Sequence, residues 1–235
     1  MAPRIDDDEA TEQPRVPLSR RRVLRAAVEI ADRDGLGRLT MRGLAQELGV
    51  EAMSLYHHVA NKGAVVEGVL EVVLGEILRA AEEVEAPDPA DDWRAALRAR
   101  VLAAREVLLR HRWAPRALEA STTTSPAVIA YYDGVVGILR AGGFSYDLAH
   151  HALHALGSRA IGFSQELFEP GGEEGPAEAP DAAAMAERFP NLAGMVGAIA
   201  HDDPDGTLGF CDDRFEFEFG LDLILDGLER RRIGS

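Results

Sequence analysis

The chain has 235 residues, 46% of them hydrophobic, which is enough to bury a substantial core without help from disulfides, and its single Cys211 forms no internal disulfide. No uncharged apolar run reaches membrane-spanning length, and Asp6, Asp7, Asp8 and Glu9 stand where a signal peptide would be positive, so a cytoplasmic protein with no membrane partner is expected. The net charge of −15 argues against a polyanionic partner, but it is unevenly spread: residues 18–62 carry eight Lys or Arg against five acids, while residues 63–235 carry fifteen against thirty.

Taken in order, residues 1–17 are acidic and read as a disordered tail. Ser19 is an N-cap for a first helix with Val23, Ala27, Ile30 and Ala31 at helical spacing, closed by Gly35. Arg20, Arg21 and Arg22 fall in its first turn, where the helix dipole favours anions, so they are not placed for local stability. Thr40 caps a second helix bearing Met41, Leu44, Ala45 and Leu48, stopped by Gly49; a third spans about Ala52 to His58; Asn61 caps a fourth that runs to Val84. "EAPDPADD" then breaks the composition. Further helices are predicted at 91–110, 114–120, 126–141, 146–168, 181–200 with an interruption at Pro190, and 212–232, and residues 169–184 form a Gly, Pro and acid-rich loop. "RFEFEF" begins with a strand-like alternation, but Phe217, Leu221, Ile224 and Leu228 continue at helical spacing and no second strand exists to pair with it, so a helix is predicted.

The second and third helices, joined through Gly49 with small Ala45 at their crossing, form a helix-turn-helix pattern inside the basic segment. Such a pair holds its second helix where side chains reach base edges in the major groove; an ordinary helical hairpin is the alternative on spacing alone. "LTMRGLAQELGVEAMSLYHHVANKGAVV" resembles the DNA-binding segment of the tetracycline-repressor (TetR) family of bacterial transcriptional regulators, and "GGFSYDLAHHALHALGSRAIGF" and "FEFGLDLILDGLE" are similar to that family's dimerisation helices. The resemblance implies an all-α protein: a three-helix helix-turn-helix domain at 18–64 and a helical effector-binding and dimerisation domain at 65–235. It places Thr40, Met41, Arg42, Ala52, Met53, Ser54, Tyr56, His57, His58 and Lys62 at the DNA, with Arg42 reading a base edge and Lys62, the chain's sole lysine, meeting phosphate, while Arg20 and Arg22 are assigned to the DNA backbone by their place in the first turn. Met41 and Met53 are less polar than in many tetracycline repressors, so thymine-methyl contact is expected to replace some hydrogen bonding.

For the larger domain, Trp113, Thr122, Thr123, Tyr131, Tyr132, His154, Arg159, Phe163 and Glu166 are candidates to line an effector pocket. Leu153, Leu156, Ala160, Leu221, Ile224 and Leu228 are candidates for a homodimer interface. Glu166 matches a carboxylate that helps tetracycline repressors hold a drug-bound magnesium, but Ser121 falls near the accompanying histidine, so no metal or cofactor is expected. The reading is of a non-enzymatic repressor that binds a pseudo-palindromic operator in double-stranded DNA as a homodimer and is released by a small-molecule effector. A metal-dependent helical enzyme built on His150, His151 and His154, and a ligand-binding protein without operator function, are the alternatives.

Overall fold

A computed structural model describes residues 17–121, 125–162, 187–199 and 213–233. The described residues form helices and no strands: α1 (Arg20–Asp34), α2 (Met41–Leu48), α3 (Ala52–Leu55), α4 (Lys62–Glu83), α5 (Pro89–Arg110), α6 (Ala114–Ala120), α7 (Pro126–Ala141), α8 (Tyr146–Gly162), α9 (Pro190–Ile199) and α10 (Asp213–Ile233), with a short 3₁₀ turn at Leu36–Arg38. The period-two alternation at 214–219 is therefore helical, with Phe217 buried in a core and Phe215 and Phe219 exposed on another side of the helix. The tail at 1–16 and the loop at 169–184 lie outside the described residues.

The chain divides into two compact units, neither contiguous in sequence: residues 1–79 with 106–128, and residues 80–105 with 129–235. The first unit contains α1 to α3, most of α4 and the segment around α6.

In the first unit, local chemistry sets each helix end. Ser19 Oγ accepts from Arg22 N at 3.3 Å, Thr40 Oγ1 from Gly43 N at 3.0 Å and Asn61 Oδ1 from Ala64 N at 2.9 Å, each satisfying a donor that a helix N-terminus leaves open. Gly49 adopts φ 65°, which a side chain rarely tolerates, and the Val50 N–H returns to Ala45 O at 3.0 Å, closing α2 in a Schellman motif. The core beneath is built from Val23, Ala27, Ile30, Leu39, Leu44, Leu55, Val59, Val65 and Val69. Gly68 allows α4 to lie close to α1: a Cβ there would sit 2.6 Å from Leu24 Cδ2.

The same unit holds a polar clasp. His111, 6% exposed, has Nδ1 2.8 Å from Asp32 Oδ1 and Nε2 3.3 Å from Glu76 Oε2. The Trp113 indole donates to the same Asp32 oxygen at 2.7 Å. One carboxylate on α1 is thus tied to the segment leading into α6, and the imidazole carries the link on to α4.

In the second unit, Trp93, Leu97 and Val101 of α5 pack with Val135 and Leu139 of α7, Phe144, Ala149, Ala152 and Leu156 near and on α8, and Phe217, Leu221, Leu225 and Leu228 of α10. The Trp93 and Phe144 rings meet edge to face at 4.6 Å, and the Trp93 indole donates to Glu229 at 3.1 Å. Asp92, whose φ of −146° is not helical, caps the main part of α5 by accepting from Ala95 N at 2.9 Å. Outside this core, Arg94 pairs with Asp226, and Arg98 reaches both Asp222 at 3.1 Å and Glu218 at 2.6 Å, so α5 and α10 are joined by a row of opposite charges.

Candidate nucleic-acid interface

The helix-turn-helix is formed by α2, the Gly49 turn and α3. Leu44 and Ala45 on α2 and Leu55 on α3 are buried, which fixes both helices on the head core and leaves their other sides to solvent. Arg42 is exposed and makes no ion pair with any described residue; Lys62, at the start of α4, is the same. Met53 is 74% exposed and Tyr56 47%, a large apolar and aromatic surface with no role in the fold. Met41 and Ala52 are half-buried and pack partly on the head core, so less of each is available to a partner. Arg20 is exposed and Arg22 is half-buried. Thr40 accepts through its hydroxyl at the cap, which leaves the hydroxyl hydrogen to donate to a phosphate.

The third helix is shorter than the sequence indicates. It ends at Leu55, because the chain tightens into turns in which Tyr56 N bonds Met53 O at 3.3 Å and His58 N bonds Leu55 O at 2.8 Å. His57 and His58 therefore stand in a turn between α3 and α4, with His57 the more exposed. Two adjacent rings beside Tyr56, one exposed and one half-buried, suit backbone contact more than chelation.

An exposed methionine on a helix held out by a glycine-closed turn, followed by an exposed tyrosine and accompanied by cations with no ion pair among the described residues, is an arrangement suited to reading DNA. Comparison with known proteins decides which family built it. Residues 23–69 match the bacterial regulatory proteins, tetR family, and residues 86–232 match the tetracyclin repressor-like C-terminal domain. The chain belongs to the TetR family. It is 30% identical to the tetracycline repressor protein class A from transposon 1721 of Escherichia coli over 211 residues, which is 90% of each chain. The fold is similar to that of a possible TetR family regulator from Streptomyces coelicolor, with TM-score 0.67, 29% identity, and 90% and 99% of the two chains covered. It is similar also to the Streptomyces coelicolor TetR family protein ActR in complex with actinorhodin, with TM-score 0.65, 28% identity, and 92% and 99% covered. This TetR-family member is thus a transcriptional regulator with an N-terminal helix-turn-helix and a helical C-terminal domain.

The residues expected around a TetR-family effector pocket are distributed over both compact units and the stretches outside the described residues. Trp113 is in the first unit, where its ring packs on the head core and its N–H is taken by Asp32. Tyr131, Tyr132 and His154 are in the second; the two tyrosine rings lie 6.0 Å apart, and His154 is exposed with its ring 4.6 Å from that of His150. Thr122, Thr123, Phe163 and Glu166 lie outside the described residues, as do the side chains of Arg159 and Ala160. His151 is 3.9 Å from Asp147, and no group of three or more potential metal ligands occurs among the described residues.

Three of the six interface candidates are buried within the single chain. Leu156, Leu221 and Leu228 are 8%, 0% and 6% exposed within the single chain, so their surface is already spent on this chain's own core. Leu153 and Ile224 are partly buried against the same core. On α10 the outward apolar row is instead Phe215, Phe219 and Leu223, at 63%, 54% and 55% exposure. It lies two residues, or about 200°, away from the buried row.

Arg100 is buried in the second unit. One of several arginines on α5, it gives no sign in the sequence of lacking the acidic partners that Arg94 and Arg98 find.

Proposed function

We propose that this protein is a repressor that binds a two-half-site DNA operator as a homodimer and leaves it when a small molecule binds the C-terminal unit. The observation that carries the reading is the exposed Arg42, Met53, Tyr56 and Lys62 around a helix-turn-helix whose buried side is fully engaged in its own core. Arg42 is suited to bidentate contact with guanine and Met53 to a thymine methyl, while Lys62 and the start of α4 receive phosphate. The positive excess confined to residues 18–62 supports polyanion binding by this module alone. The exposed Phe215, Phe219 and Leu223 row supports pairing of two chains through α10, which would give the two heads of a symmetric dimer. Relatives named as repressors, and a similar fold in complex with actinorhodin, support repression and release by a small organic ligand. Release requires that the ligand bind the DNA-incompetent conformer more tightly, since equal binding to both shifts nothing.

Selection of bound duplexes from a random library by the full-length protein tests this reading. Enrichment of an inverted repeat is expected, and recovery of no sequence above the starting pool overturns it.

A further inference from the structure

Arg100 is the one arginine among the described residues that is withdrawn from solvent, at 8% exposure. Arg94 and Arg98 point at the acids of α10, but two residues further along a helix the direction turns by about 200°, so Arg100 faces α7 instead. Its Nη1 donates to Ala81 O at 3.1 Å and its Nη2 to Tyr131 O at 3.3 Å. Nε is buried with no hydrogen-bond partner among the described residues. The guanidinium carbon lies 5.0 Å from the centre of the Tyr131 ring. Gly134 supplies the room: a Cβ there would come within 2.7 Å of the guanidinium carbon.

These contacts do not neutralise the charge. No described carboxylate pairs with Arg100, and a buried cation without a counter-charge is an energetic liability. Burial pushes the Tyr131 phenol up to about 12, with Arg100 pulling the other way, so Tyr131 stays protonated at neutral pH and supplies no anion. A purely structural role accounts for one contact, because Ala81 O in the last turn of α4 needs a donor. It does not account for the contact to Tyr131 O, which lies inside α7 where carbonyls already have helical partners, nor for the idle Nε.

We infer that Arg100 is the anion anchor of the effector site, and that the effector is an organic acid whose carboxylate or ionised phenol docks on the Nε and Nη2 edge of the guanidinium. That edge matches two anionic oxygens, and Tyr131 offers the adjoining aromatic surface. The inference rests on the reading of the protein as a ligand-released regulator and gives the ligand its chemical class.

The experiment is calorimetric titration of the full-length protein with acid and amide pairs of one shape: benzoate and benzamide, salicylate and salicylamide, 1-naphthoate and 1-naphthamide. At least one acid is expected to bind tenfold or more tightly than its amide. Arg100→Met should erase that ratio, and Arg100→Lys should keep a reduced preference. The inference is overturned if the wild-type protein prefers none of the acids, whether through equal binding or none, or if Arg100→Met keeps the preference. The wild-type comparison stands even where a variant does not fold. If duplex selection succeeds while no acid is preferred, the anion anchor alone fails; if an acid is preferred while selection recovers nothing, the regulator reading fails and an organic-acid site remains.

Discussion

Arg42 is the residue on which sequence preference should turn. Exposed and with no ion pair among the described residues, it contributes nothing to the head core, so Arg42→Ala is expected to leave the fold unchanged and to cost about 1–3 kcal/mol of specific binding. Fluorescence anisotropy with the selected duplex and with single-base variants checks this: affinity should fall and discrimination at one base pair should relax. Gly68 is the counterpart inside the head. A Cβ there already intrudes on Leu24, so Gly68→Val should destabilise by about 1–3 kcal/mol through overpacking, measured by chemical denaturation. Arg42 and Arg100 mark what single residues reveal in the sequence. Arg42 stood out through its place in a spaced motif, whereas Arg100 looked like one more solvated charge on α5, because what distinguishes it is the absence of an acid that only the packing of α10 and α7 defines.

At the scale of elements, the α5 to α10 charge row sets an acid limit. Hydrogen bonds from Arg214 and then Arg98 hold the Glu218 carboxyl below its ordinary range, and a hydrogen bond from Arg232 does the same for Glu229. Carboxyls lowered in the folded state contribute stability above their unfolded pKa and lose it as pH falls through the folded value. The melting temperature should therefore decline below about pH 4.5, and Glu218→Gln should lower it at neutral pH while flattening the acid decline. Screening by solvent keeps each effect small, and added salt should shrink it further. Element positions were largely legible: Ser19, Thr40 and Asn61 announce α1, α2 and α4 by side-chain oxygens at the cap, and Pro190 begins α9 as a first-turn proline does. The end of α3 was not, because the switch to tighter turn bonding after Leu55 leaves no mark in residue type. Nor was the facing of α10, where two apolar rows coexist and periodicity alone does not say which is inside.

For the molecule as a whole, the exposed α10 row should govern assembly. The double variant Phe219→Asp and Leu223→Asp puts charge on that row while sparing the buried one, so light scattering should find half the wild-type mass with helical content retained. An unchanged mass would place the pairing of chains elsewhere. The two compact units were the least legible level. Each draws on separated stretches of chain, and hydrophobic spacing, being local, does not register that residues 106–128 return to the unit of residues 1–79.

The clasp on Asp32 has an optical consequence. The chain has two tryptophans, and each compact unit holds one: Trp113 in the first, bonded to Asp32 beside the His111 ring, and Trp93 in the second, bonded to Glu229. Indole emission responds to a neighbouring carboxylate and imidazole, so the native protein carries a separate fluorophore for each half. Replacing Trp93 by Phe leaves an unlabelled regulator whose remaining light comes from the junction of α1 with the segment leading into α6, and whose colour and lifetime can be followed as DNA and ligand exchange.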